Sequence, residues 1–406
     1  MITRRVLLAR IGAGALPVLV MPGLSAAFAA LPTDRRLVVV VLRGALDGLA
    51  AVPPYGDPDY RSIRGMLAFP EPGAADGVLD LNGHFGLHPS LKPLHAMYQR
   101  KELIVCHAVA TPYRSRSHFD GQDVLENGTT SAHGAQDGWL NRTLTLFGHG
   151  KKGDGLAVGL SVPLILRGDV PVSAWAPRTL PRVQDDFLVR LGMLYQSDKL
   201  LGPAFAEVTR AQAMSDEVAR NDAKMDGGKR QIRGAKALPA LMSAVGELMA
   251  DPKGPRVAAL DATGWDTHAN QGLLTGPLAN NLAALAKGLD SLRTGLGPIW
   301  NKTAVLVATE FGRTARPNGT SGTDHGTAGV AFLLGGAIAG GRVMTRWPGL
   351  SESALYQGRD LAPTTDIRSL FKAALTDHLG LPDAEVASRV FPQSRNAPRL
   401  REVFRT

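Results

Sequence analysis

The sequence predicts an α/β protein: three layers, α/β/α, around a mostly parallel central sheet. Three observations carry that expectation. Residues 37–42 form an unbroken apolar run, the mark of a strand buried on both faces. Similar short apolar runs recur along the chain and alternate with helical patterns. Acids and histidines stand just beyond several of these runs, where open parallel sheets place their ligands.

Taken in order, the first strand leads into Arg43-Gly44-Ala45-Leu46-Asp47-Gly48. A helix over 91–99 precedes a second strand at 103–109. Further strands are expected at 155–162, 256–261, 303–309 and 329–334. Helical patterns fill the intervals, most clearly at 204–221, 238–250, 279–296 and 366–379. The segment from about 184 to 234 is polar and helical and ends in a basic stretch, so it reads as an excursion from the sheet.

The chain has 406 residues, 44% of them hydrophobic, enough to bury a large core. Folds of this class run long as one domain, so residues 30–406 read as a single unit. The single cysteine, Cys106, excludes an internal disulfide framework and any multi-cysteine zinc site. It lies in an apolar run and reads as a buried strand residue.

The first 29 residues read as a targeting segment. Arg4-Arg5 precede a Gly/Ala-rich apolar stretch, and Ala27-Phe28-Ala29 fits a small-residue cleavage site. The stretch is broken by Pro17 and Pro22 and is too short for a stable membrane span. Thr3-Arg4-Arg5-Val6-Leu7-Leu8 resembles the twin-arginine export signal, which implies the twin-arginine export machinery as a partner and a periplasmic or secreted bacterial destination. An ordinary secretory signal or an uncleaved anchor is the other reading. The net charge of +9 falls to +6 once Arg4, Arg5 and Arg10 leave. No basic run is interleaved with aromatics, which argues against nucleic acid. The remaining mild basic excess favours an anionic substrate or surface, and the substrate expected is an anionic small molecule or glycan ester.

The chemistry-bearing groups fall at strand ends. Asp47 follows the first strand, in a turn that would suit an Asp for purely local reasons. Arg114-Ser115-Arg116-Ser117-His118 follows the second strand, ahead of a helix over 119–126. A serine at a helix start sits among N–H groups that favour an anion, although Ser117 or Ser115 could simply be the cap. Arg116 is placed to hold an anionic group. Asp266-Thr267-His268 follows the strand at 256–261, and in extended chain Asp266 and His268 project to one side. Glu310 and Arg313 follow the strand at 303–309, and Asp324-His325 comes next. Gly322 and Gly326 let the backbone pass close to whatever those side chains hold. Carboxylates and imidazoles suit divalent metals. The other histidines (His84, His88, His95, His107, His118, His133, His149 and His378) lack this context.

These clusters, in this order, resemble the alkaline phosphatase superfamily, which includes sulfatases and cofactor-independent phosphoglycerate mutases. Six spaced motifs look like an exported bacterial family of unknown function (domain of unknown function 1501) within it: Arg43 to Gly48, Arg116 to Phe119, Asp266 to Gln271, Glu310 to Arg313, Gly322 to Gly326, and Trp347-Pro348-Gly349-Leu350. The resemblance implies an alkaline-phosphatase-like fold and a metal centre drawn from Asp47, Asp266, His268, Glu310, Asp324 and His325. It implies Ser117 as nucleophile, with Arg116 or Arg313 clamping the anion. Phosphatases of the superfamily carry an Asp-His pair where this chain has Glu310-Phe311-Gly312. The expectation is therefore one metal, as in sulfatases, or a second site rich in oxygen, favouring Ca²⁺, Mg²⁺ or Mn²⁺ over Zn²⁺. The cysteine-derived nucleophile of many sulfatases is absent.

The function expected is metal-dependent hydrolysis of a phosphate or sulfate ester after export. A non-catalytic exported binding protein with at most one structural metal is the alternative. A Ser-His-Asp esterase is weaker, since no Gly-x-Ser-x-Gly elbow surrounds any serine.

Overall fold

The computed structural model describes residues 33–147, 154–159, 161–176 and 237–405. The targeting segment, the helix expected at 204–221 and the excursion at 184–234 lie outside the described residues.

The strands of the main sheet are β1 (Arg36–Arg43), β2 (Leu103–Ala110), β3 (Gly155–Val158), β4 (Ser173–Trp175), β5 (Val257–Thr263), β6 (Thr303–Thr309), β7 (Gly329–Leu334), β8 (Arg342–Met344) and β9 (Thr365–Asp366); Leu79–Asp80 and Gly86–Leu87 pair separately. The main sheet has the order β8-β2-β7-β6-β1-β5-β3-β4, with β9 also on β2. Every pairing within it is parallel except those of β7, which runs antiparallel to both β2 and β6. β1 lies at the centre, paired with β5 and β6 over nearly its full length.

Alternation along β1 divides the core into two layers. Val38, Val40 and Leu42 face one apolar cluster, with α1 (Lys92–Gln99), α4 (Leu238–Ala250) and α5 (Pro277–Leu296) against it. Leu37, Val39 and Val41 face the other, with α3 (Trp139–Thr145) and α6 (Arg368–Ala373). That is the three-layer arrangement, and it explains why β1 has no polar face. Cys106 is buried in β2, and burial pushes its thiol up to about 12.

Two elements depart from expectation. The strand expected over 155–162 stops at Val158, because Pro163 opens a 3₁₀ turn at Leu164–Leu166. The helix expected over 366–379 starts later, because the Asp366 carboxylate accepts the Arg368 N–H at 2.9 Å; it continues past Ala373 as a π-helical turn, Ala374–His378.

The carboxyl ends of β1, β2, β5 and β6 point the same way, since all four run parallel within the sheet. The loops that leave them carry Asp47, His118, Asp266 with His268, and Glu310.

Candidate metal centre

The loop after β6 doubles back on itself. Thr314 N–H donates to Asp324 O at 2.9 Å, Gly326 N–H to Gly312 O at 2.8 Å and Gly312 N–H to Thr327 O at 2.9 Å. Arg313 and His325 face each other across this short ladder. The packing leaves no room for a side chain at two places. A Cβ on Gly322 would lie 2.3 Å from His268 O, and one on Gly326 would lie 2.4 Å from the Arg313 backbone. The loop after β5 is sewn to the same ladder: Thr323 N–H donates to Thr267 O at 3.1 Å, and Asn318 Nδ2 to His268 O at 2.8 Å.

His118, Asp266 and His325 meet at this edge, and their ligand atoms all lie within 4.8 Å of one another. His118 opens α2 (His118–Asn127), so the β2 exit delivers it. Its ring stacks on Phe311 and meets His325 edge-on, the centroids 5.0 and 4.2 Å away. Its Nδ1 lies 2.8 Å from Glu310 Oε1, and its Nε2 lies 3.4 Å from Asp266 Oδ2. That Nε2 is buried and has no hydrogen-bond partner. The sequence reading sets His118 aside, yet its imidazole stacks on Phe311 and turns Nδ1 to Glu310. A signal existed: His118 directly follows Ser117 at a helix start.

Asp266 Oδ1 lies 2.5 Å from Arg313 Nη1, 3.0 Å from His268 Nε2 and 3.4 Å from His325 Nε2. His268 Nδ1 is 3.1 Å from Asp324 Oδ1, and its Nε2 is 2.8 Å from His325 Nε2. His325 Nδ1 is 2.9 Å from the Arg116 carbonyl. Arg116 holds φ at +61°, an uncommon left-handed backbone for an arginine that turns this carbonyl to the histidine.

The charges are tuned by these neighbours. The Glu310 hydrogen bond raises the His118 imidazole, although burial opposes it. Burial works against the Glu310 carboxylate, but His118, Gln122 and the Gly44 N–H hold it below its usual range. Burial likewise opposes Asp266, and Arg313, His268 and His118 outweigh it. Burial lowers His325. Asn318, with His268, keeps Asp324 low.

The other expected residues lie as follows. Asp47 is buried outside the His118–Asp266–His325 group. Its Oδ2 takes Arg64 Nη2 at 2.6 Å and Gln271 Nε2 at 2.8 Å, and its Oδ1 caps the short helix Gly48–Ala51 through Ala50 N–H. Ser117 occupies the cap position of α2, but its side chain makes no capping bond; its N–H donates to Tyr113 Oη at 3.2 Å. Arg116 Nε donates to the buried Asp360 at 2.9 Å and Nη2 to Gln357 at 2.7 Å. Arg313 is buried between Asp266 and Thr323.

The donors fit a divalent metal: two imidazoles and a carboxylate converge, and one imidazole nitrogen is buried with nothing to bond. Fold and site together define an α/β protein with a histidine–aspartate cluster at the carboxyl edge of its sheet. The chain belongs to the family described as protein of unknown function (DUF1501), which matches residues 34–391. No curated protein sequence matches it. Among solved structures it is similar to the C-terminal periplasmic domain of EcEptC from Escherichia coli in complex with Zn (10% identity, 75% of this chain and 74% of that one, TM-score 0.37). It is also similar to a 2-O GAG sulfatase, BT1596 (10% identity, 91% and 76% covered, TM-score 0.37). A third is the phosphonate monoester hydrolase of Agrobacterium radiobacter (11% identity, 86% and 74% covered, TM-score 0.32). At such scores the architecture stands on this chain's own sheet and the chemistry on its own residues.

Proposed function

We propose that this protein is an exported, metal-dependent hydrolase of phosphate or sulfate esters. The observation that carries the proposal is the meeting of His118, Asp266 and His325 at the carboxyl edge of the sheet. These residues would hold a divalent ion, which when bound supplies Lewis-acid polarisation of an ester oxygen. Arg313, Arg116 and Arg359 surround His325: Arg313 is bonded to Asp266, the Arg116 carbonyl to His325 Nδ1, and Arg359 Nη1 to His325 O at 2.9 Å. All three are ion-paired, Arg313 with Asp266 and both Arg116 and Arg359 with Asp360, so the ion itself would supply the charge that draws an anionic ester. Ser117 is the proposed nucleophile. Its hydroxyl is not engaged in capping α2, and the first N–H groups of that helix lie beside it to stabilise developing negative charge. Export is supported by the twin-arginine start, and among the described residues no helix is long and apolar enough to cross a membrane.

Non-catalytic binding remains the second reading, favoured by one observation. The Arg116 guanidinium is tied to Asp360 and Gln357, so it does not reach out as a free anion clamp. The two readings separate in one experiment: the mature protein is loaded with each divalent ion and screened on aryl phosphates and aryl sulfates. Hydrolysis of one ester class, lost in Ser117→Ala, is expected. Inertness with every ion and both ester classes would overturn the hydrolase reading.

A further inference from the structure

Three imidazoles at the site share one arrangement. Each turns its Nδ1 outward to an oxygen that can only accept: His118 to Glu310 at 2.8 Å, His268 to Asp324 at 3.1 Å, and His325 to the Arg116 carbonyl at 2.9 Å. Each Nδ1 therefore carries the ring hydrogen, and each neutral ring keeps a lone pair on Nε2. Those lone pairs point inward. His268 Nε2 and His325 Nε2 are 2.8 Å apart, and Asp266 Oδ1 lies 3.0 and 3.4 Å from them. Asp266 Oδ2 lies 3.4 Å from His118 Nε2. Arg313 Nη1, 2.5 Å from Asp266 Oδ1, offsets the carboxylate, but the two imidazole lone pairs facing each other at 2.8 Å repel unless a proton or a cation lies between them.

Glu310 is differently placed. Its Oε1 accepts from Gly44 N–H at 2.9 Å, Gln122 Nε2 at 3.0 Å and His118 Nδ1, and its Oε2 accepts from Thr309 Oγ1 at 2.8 Å. Three donors crowd Oε1, more than its two lone pairs, so that oxygen has none left for an ion; Oε2 shares the single Thr309 hydroxyl hydrogen with Leu42 O, 2.7 Å from Oγ1. Asp324 Oδ1 is likewise held by Asn318 Nδ2 at 3.0 Å besides His268.

We propose that His118, His325 and Asp266, whose ligand atoms already lie within 4.8 Å of one another, hold one divalent ion, that His268 at the edge of this group moves in as the fourth ligand, and that Glu310 and Asp324 stay off it and aim the imidazoles. The assignment rests on the metal-dependent reading above, and it revises both the ligands and the metal class expected from sequence. Three nitrogens and one carboxylate suit a borderline metal such as Zn²⁺ or Co²⁺ better than Ca²⁺ or Mg²⁺, which want oxygen. His118 becomes a ligand. Glu310 and Asp324 become positioning residues, each completing a carboxylate–histidine pair that fixes tautomer and ring orientation.

Calorimetric titration of the metal-stripped mature protein, with no substrate present, tests this. One equivalent of Zn²⁺ or Co²⁺ is expected to bind, with no binding of Ca²⁺ or Mg²⁺ at the concentrations that saturate with zinc. Preference for Ca²⁺ or Mg²⁺ would overturn the assignment. Glu310→Gln keeps an oxygen for His118 Nδ1, so it is expected to retain one equivalent, weakened roughly 10–100-fold. His118→Ala is expected to lose stoichiometric binding while keeping a native circular dichroism spectrum. The reverse pattern would also overturn it, and if His118→Ala fails to fold, the wild-type metal preference still decides. A calcium-loaded, active hydrolase would sink this assignment and leave the proposed function standing. A zinc-binding protein inert toward esters would do the opposite.

Discussion

Asp47 shows how local surroundings decide what a carboxylate can do. Its pair with Arg64 is buried, the two side chains 2% and 0% exposed. Gln271 Nε2 and the Ala50 N–H of the Gly48–Ala51 helix donate to Asp47 as well. Removing one partner of a buried pair leaves the other charge without compensation. Asp47→Ala is therefore expected to lower stability by about 3–5 kcal/mol, read from urea unfolding, while bound-metal stoichiometry stays unchanged. In sequence, Asp47 and Asp266 look alike: an acid shortly after a buried strand. The distinction comes from Arg64 and Gln271, which no spacing rule connects to Asp47. His118 is the reverse case, a histidine marked in sequence only by its place beside Ser117 at a helix start, which Glu310 and Phe311 turn into a site residue.

At the scale of elements, two buried histidines fasten the layers together. His107 sits in β2 where its register shifts against β7. It donates from Nε2 to Val52 O at 3.1 Å and accepts the Ala108 N–H on Nδ1 at 2.8 Å. His378 ends the π-helical turn, donates to Arg36 O at 2.9 Å and stacks on Phe404. Burial pushes both imidazoles down from 6.5 to about 4. Between those values the unfolded chain takes up protons that the native state refuses. Stability is therefore intact above about pH 6.5 and lost as pH falls toward 4, by roughly 3 kcal/mol per histidine. Urea midpoints measured across that range check this, and His107→Asn should flatten the slope. The ladder between residues 312–314 and 324–327 carries a second prediction. Gly326→Ala would drive a methyl into the Arg313 backbone, so a loss of about 1–3 kcal/mol is expected, with weaker metal binding because His325 moves with it. A gain or no change in the unfolding midpoint would contradict this.

For the whole molecule, the central sheet brings four chain segments to one edge. The site therefore links the exits of β2, β5 and β6, and a ligand held there opposes their separation. A metal present at about 100 times its Kd adds ~2.7 kcal/mol to native stability, so a chelator should lower the melting temperature and zinc should restore it. An unchanged melting curve would mean that no ion bridges these loops in the native state.

The layered α/β fold, the six main strands and the strand-end address of the chemistry follow from the sequence. Apolar runs and helical periodicity report burial directly, and the carboxyl edge of a parallel sheet is where loops converge. The reversed direction of β7 and the short β4, β8 and β9 strands are decided by tertiary pairing, since a three-residue strand has no period to read. So is the sorting of similar residues into roles. A carboxylate that faces an imidazole, one that faces a guanidinium and one that faces an open cluster read the same along the chain. What each can do depends on which donors the fold has already brought to it.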